Sequence, residues 1–190
     1  ETELRIKIPL MEKMTSKAVY AVALKMDDDA AAMIDNAPTG ATTVGTLASP
    51  NDEDDVRQAM LNLDNAIAPR TGRYHFMSPY QYNYYLSVES FRNSLYSAAV
   101  GKLSANDEAR GFHGHLYQSD WYVSGNVEGS DSAGHDNAMY HKEHCAVAVQ
   151  ENMRVAEMYE IDDDADKHAI HAVYGLIAVR GNHLVWMKGL

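Results

Sequence analysis

Hydrophobic positions along this chain change period several times, and each change marks an element. Residues 4–8 read Leu-Arg-Ile-Lys-Ile. That strict alternation predicts a half-buried strand, which Pro9 stops. Over residues 12–35 the spacing becomes three-and-four, with Val19, Val22, Ala23, Met26, Ala30 and Met33 on one helical face. Thr15 or Ser16 offers an inner cap, an alternative to a start nearer Met11, and Asn36, Pro38 and Gly40 end the helix. Six turns at 1.5 Å per residue reach roughly 35 Å, long enough to span a domain. Residues 37–51 are rich in Gly, Thr, Ser and Pro and read as a loop.

A second helix follows, capped by Ser49 or Asn51, with Asp52, Glu53, Asp54 and Asp55 in its first turn. Carboxylates there face the positive end of the helix dipole. Val56, Ala59, Met60, Leu63, Ala66 and Ile67 form its apolar face, and Pro69 closes it. Tyr74–Met77 reads as a short strand after Gly72. Ser78-Pro79 opens a third helix, with Tyr82, Leu86, Phe91 and Leu95 pointing inward. From Gly111 onward the pattern is extended. Phe112–Leu116 and Trp121–Val123 read as strands, and residues 124–137 as an exposed loop punctuated by Gly and Asn. His144–Gln150, Arg154–Tyr159 and Ala169–Val179 continue the strands. A Gly181-Asn182 turn then predicts a hairpin with His183–Met187. Helices in the middle and strands at both ends give an α+β class.

Composition narrows the function. The 190 residues carry 46% apolar and 23% charged side chains, ordinary for a globular chain. The net charge of −11 argues against a basic nucleic-acid groove or a binder of anionic membranes. One Cys excludes an intrachain disulfide and a Cys-rich zinc site. No stretch approaches the ~20 apolar residues of a membrane span, and the polar start is not a signal peptide. The chain opens on Glu1 rather than Met, which suggests processing or a piece of something longer.

Candidate chemistry is sparse. His113 and His115, His141 and His144, and His168 and His171 form close pairs among the nine His. Without Cys partners or a His-Glu-x-x-His they fall short of a zinc ligand set, so the expectation is no metal and no cofactor. Asp27–Asp29 reads as a solvated helix face. Asp162–Asp166 lacks the alternate ligands, central Gly and distal Glu of a calcium loop. Ser78 has no flanking Gly for a nucleophile elbow, and Cys145 sits in an apolar alternation as an inert core residue. Gly125, Gly129 and Gly134 lack phosphate-loop spacing. No catalytic residue emerges, and the chain is not expected to be an enzyme. Tyr80, Tyr82, Tyr84 and Tyr85 crowd one short helix, and four Tyr around a helix cannot all face one core. Two readings stand side by side: subunit contact and plain partial burial.

Taken in order, several segments resemble the major capsid proteins of tailed bacteriophages, with their Hong Kong 97-like fold. Lys17–Asp27 is similar to the end of that family's long spine helix. The helix from Asp52 to Ile67 runs into Pro69-Arg70-Thr71-Gly72-Arg73-Tyr74-His75-Phe76-Met77-Ser78-Pro79, the most characteristic stretch. Gly111–Ser119 resembles the strand before the axial loop, and Met139–Gln150 the central strand after it. Val173-Tyr174-Gly175-Leu176, then Val179-Arg180 and a last apolar strand, fits the family's ending. Members usually carry an N-terminal arm and an extended β-hairpin loop ahead of the spine helix. Only residues 1–13 precede it here, and Leu4–Ile8 matches the strand returning from that loop.

The resemblance implies a peripheral domain from residues 1–36 (N-terminal strand and spine helix) and 151–190 (C-terminal strands), with an axial domain at 37–150. It implies a structural protein of the virion that assembles with itself, as hexamers and pentamers, into an icosahedral head shell. Scaffolding, portal or decoration proteins are the further partners it suggests. It implies packaged DNA held without sequence-specific binding, no membrane, and assembly in the host cytoplasm. It places the 124–137 loop near a symmetry axis, so Asn126, Glu128, Asp131 and His135 join Tyr80, Tyr82, Tyr84 and Tyr85 as candidate interface residues. An encapsulin-like shell around a cargo enzyme shares the fold. A small metal-dependent enzyme using the His and Asp residues is the alternative of a different class.

Overall fold

A computed structural model describes residues 2–35, 39–47, 49–92, 112–127, 129–130, 133–160 and 165–189. The first helix, α1, runs Thr2–Asp35 as 34 residues, about 51 Å at 1.5 Å per residue. It absorbs Leu4–Ile8, which the alternation assigned to a strand. Five alternating residues also place Leu4 and Ile8 one helical turn apart, and Glu, Leu, Lys and Met around them favour helix. The chain falls into two compact units, one of residues 1–30 and 147–176, the other of residues 31–146 and 177–190. This grouping puts 177–190 with the middle of the chain, whereas the sequence expectation joined all of 151–190 to the spine helix.

The larger unit is built on a seven-stranded mixed sheet. Its strands are β1 (Thr42–Gly45), β2 (Arg73–Met77), β3 (Phe112–Leu116), β4 (Ser119–Val123), β5 (Gly129–Ser130), β6 (Gly134–His141) and β9 (Leu184–Gly189). The order is β1-β9-β6-β2-β4-β3, with β5 paired to β6. The β1–β9 and β2–β4 pairs are parallel, while β9–β6, β6–β2 and β4–β3 are antiparallel. β1 lies inside the segment read as a loop. It is a four-residue edge strand with one buried side chain, Val44, too short for its period to show.

The register sorts side chains onto two faces. His75, Met77, Trp121, Met139, Val185 and Met187 share one, and Phe76, Ala138, Tyr140, Leu184 and Trp186 the other. Helix α2 (Glu53–Asn65) packs on the first face through Val56, Ala59 and Leu63, each fully buried. Burying an aliphatic side chain of that size stabilises by about 1.5–3 kcal/mol. Ile34, near the end of α1, packs with Ala138 and Leu184 on the second face, where Trp186 Nε1–H donates to its carbonyl at 2.9 Å.

The α2 cap is Asp52, where the sequence suggested Ser49 or Asn51. Its carboxylate accepts from the Asp54 and Asp55 N–H groups at 2.9 and 3.0 Å, and Asp55 returns the bond at 3.1 Å. A reciprocal pair satisfies two donors that the first turn leaves open. Ile67, expected on the apolar face, is 87% exposed in a left-handed conformation beyond the helix end. Helix α3 (Pro79–Ser87) begins as expected, with Ser78 Oγ accepting from the Gln81 N–H at 3.1 Å, and α4 (Glu89–Arg92) follows. Leu86 is exposed, Phe91 packs on the core, and Leu95 lies outside the described residues.

Residues 134–137, expected in an exposed loop, form the buried first half of β6. Gly-His-Asp-Asn is a polar string, but Asn137 is fully buried because its side chain serves the sheet: its Oδ1 accepts the Ser78 N–H at 2.7 Å. The predicted hairpin between Ala169–Val179 and His183–Met187 does not form. β8 (Ala165–Ala178) pairs with β7 (Cys145–Glu160), and the short 3-10 turn η2 (Gly181–His183) sends β9 into the larger sheet. Three residues of 3-10 helix redirect the chain where a two-residue turn would have folded it back. Leu184, Val185 and Met187 are fully buried at that position between β1 and β6.

The smaller unit holds most of α1 and the β7–β8 ribbon. Tyr174 donates to Asp29 Oδ2 at 2.6 Å, and Lys25 pairs with Asp29 Oδ1 at 2.7 Å. The Lys25 bond, then the Tyr174 bond, hold the Asp29 carboxyl below the usual carboxylate range.

Candidate functional site

The tyrosine helix divides its four rings. Tyr85 is 1% exposed, with ring centroids 4.6 Å from Phe91 and 5.2 Å from Trp121, so it belongs to the core and leaves the set of candidate contacts. Burial pushes its hydroxyl pKa well up. Tyr82 and Tyr84 are half-buried against the same cluster. Tyr80 is 40% exposed and stacks on His135 at 6.4 Å. His135 lies on β6 and is itself buried, which removes it from the exposed loop to which the sequence assigned it. Asn126 is half-buried, and Glu128 and Asp131 lie outside the described residues.

A buried amide pair holds this helix to the sheet. The Asn51 N–H donates to Gln81 Oε1 at 3.0 Å, and Gln81 Nε2 returns to the Asn51 carbonyl at 2.8 Å. Asn51 Nδ2 then reaches the Met187 carbonyl at 2.9 Å. A Cβ on Gly189 would come within 2.6 Å of that Nδ2, so the close approach needs glycine there.

The β7–β8 ribbon presents a different surface. Along β7, Val147, Val149, Met153, Val155 and Tyr159 alternate on one side and are 41–58% exposed. On the other side Arg154 Nε donates to His171 Nε2 at 2.5 Å. Glu151 and Glu157 occupy the intervening positions of the same alternation, so the exposed apolar side chains form two short patches, Val147 with Val149 and Met153 with Val155, before Tyr159.

The open cleft beside Arg70–Arg73 encloses about 370 Å³. Its charged lining is already paired: Arg70 and Arg73 hold Asp64 at 2.9 and 2.5 Å, and His115 meets Asp120 at 2.8 Å. The Arg73 bond, above all, holds the Asp64 carboxyl below its usual range.

Histidines gather elsewhere, between η2 and a second 3-10 turn, η1 (Lys142–His144). His144 Nδ1 lies 2.9 Å from the Arg180 carbonyl, and its own carbonyl accepts from the Val179 and Arg180 N–H groups at 2.7 and 3.1 Å. His141 Nε2 lies 3.0 Å from the Thr71 carbonyl, and its ring meets that of His183 edge-on at 5.7 Å. One ligand atom each from His141, Glu143 and His183 lie within 4.8 Å of one another. The sequence paired His141 with His144, three residues away. Its spatial partner is His183, which η2 brings back from far downstream. Of the other predicted pairs, His171 is engaged with Arg154 and His115 with Asp120. Cys145, expected in the core, is half-buried, and burial raises its thiol pKa.

No protein-family model and no curated protein match the chain. Solved structures do. One from Mycobacterium phage Che8 is 22% identical with a TM-score of 0.67, covering 91% of this chain and 61% of that one. The capsid structure of the cyanophage P-SCSP1u has a TM-score of 0.61 at 14% identity, over 94% and 65% of the two chains. The mature capsid of bacteriophage PhiM1 has a TM-score of 0.54 at 14% identity, over 77% and 50%. The chain thus has the α+β, Hong Kong 97-like fold of phage capsid structures. It spans 50–65% of the length of these three matches.

Proposed function

We propose that this chain is a structural, non-enzymatic subunit that self-assembles into the icosahedral head shell enclosing phage DNA. The observation that carries the reading is the capsid fold, shared over 91–94% of the chain with TM-scores of 0.61–0.67. The exposed aliphatic side chains of β7 support it, because apolar surface gains when a neighbouring surface removes it from water. Hexamers and pentamers of the chain form the shell, with scaffolding, portal or decoration proteins as further partners. The spine helix and the β7–β8 ribbon form the peripheral domain and the mixed sheet the axial one. Tyr80, Tyr82, Tyr84, Asn126, Glu128 and Asp131 are proposed contacts on the axial side. A net charge of −11 suits a container for DNA, since an acidic wall does not trap phosphate backbone. Many modest contacts then add up through multivalency. Among the described residues, no helix is long and apolar enough to cross a membrane. Negative-stain electron microscopy of the full gene product tests the reading. Uniform closed shells are expected, and small soluble species at every concentration would overturn it.

A further inference from the structure

The geometry points to a divalent transition-metal site, of the zinc class, built by His141, Glu143 and His183. Their three ligand atoms already converge within 4.8 Å of one another. Tetrahedral zinc with bonds of about 2.1 Å sets its ligands about 3.4 Å apart, so shifts of roughly 1 Å complete the set. Two neutral imidazoles and a carboxylate, with a water in the fourth position, are a ligand set that zinc accepts.

The surroundings already do what outer partners of a metal ligand do. His141 Nε2 is committed to the Thr71 carbonyl at 3.0 Å, which fixes the ring and turns Nδ1 toward the site. Nδ1 now accepts the Glu143 N–H at 3.2 Å, a long bond that a cation displaces. Arg180 Nη1 holds Glu143 Oε2 at 3.1 Å, leaving Oε1 for the metal. His183 supplies the second observation. It is 4% exposed, and its Nδ1 is buried with no hydrogen-bond partner. A buried imidazole nitrogen without a partner carries a cost that a metal bond removes. A cation here ties η1 to η2, the two turns through which the chain leaves the larger sheet for β7 and returns from β8. The inference does not depend on the shell reading.

The test is titration of the full chain with zinc by calorimetry, and with cobalt by visible absorption, at pH 7.5. One saturable equivalent per chain is expected, with the strong d–d absorption of four-coordinate cobalt and a raised melting temperature. Glu143→Gln changes a half-exposed side chain and leaves the fold intact, and it should weaken affinity at least tenfold. The His168→Ala/His171→Ala variant should bind like the parent. Absence of saturable binding, octahedral cobalt alone, parental affinity in Glu143→Gln, or loss of binding in His168→Ala/His171→Ala would each overturn the assignment.

Discussion

His75 sits in the characteristic stretch between Gly72 and Pro79, yet nothing in the sequence marks it as core. It is fully buried, its ring centroid 4.8 Å from Trp121 and 6.0 Å from Tyr85, with no hydrogen-bond partner at either nitrogen. Burial pushes its pKa down to about 3. The unfolded chain, with an ordinary imidazole near 6.5, therefore binds a proton that the folded chain refuses between pH 6.5 and 3. Stability falls as pH drops through that window, by roughly 3 kcal/mol from this residue at pH 4.5. Urea midpoints measured from pH 7 to 4.5 should fall less steeply for His75→Phe than for the parent. Parallel profiles would contradict the burial argument. At this scale the sequence was least legible. Periodicity says which side of a strand a residue occupies, not whether a helix covers that side. Tyr85 and His135, candidate contacts on a helix and in an expected loop, are buried, while Tyr80 is exposed.

Elements were more legible where several signals coincided. The acidic first turn and the three-and-four apolar spacing of α2 both survive in the structure, as does Pro79 at the start of α3. The spine helix and seven of the eight expected strand segments likewise stand. Apart from Leu4–Ile8, which is helix, the failures were short or polar pieces whose partners lie far along the chain: β1, the first half of β6, and the pairing of β9. Two predictions belong here. Asp52→Ala removes the reciprocal cap of α2 and should cost about 1 kcal/mol, read as a lower denaturation midpoint. Leu63→Ala empties a fully buried position under the sheet and should cost about 2–5 kcal/mol. If Asp52→Ala proved the more damaging of the two, the packing account of α2 would be wrong. On β7, Val149→Lys places a charge on a residue that is already 49% exposed. The melting temperature of the isolated chain should hold within a degree or two, while particle yield collapses. Equal loss of both would mean that Val149 serves the fold and not a neighbour.

For the whole molecule, charge and shape pull in opposite directions. Each copy carries −11, and like charges oppose association over a Debye length of about 30 Å at 0.01 M salt but only about 8 Å at 0.15 M. Light scattering should therefore show association promoted by salt across that range, and a fall in scattering would mean that attractive ion pairs dominate the contacts. The capsid fold was readable from the order of segments, because that order reflects which pieces must meet in space. The exposure of the β7 side chains was not readable, since period and composition do not say whether a face is covered. The central claim is that this chain forms the wall of a closed shell. Cryo-electron microscopy of particles assembled from the full gene product tests it most directly. The account predicts an icosahedral shell whose wall is traced by this fold, with Val147, Val149, Met153 and Val155 covered by a neighbouring subunit. A shell wall traced by a different chain, or no closed particle at all, would contradict it.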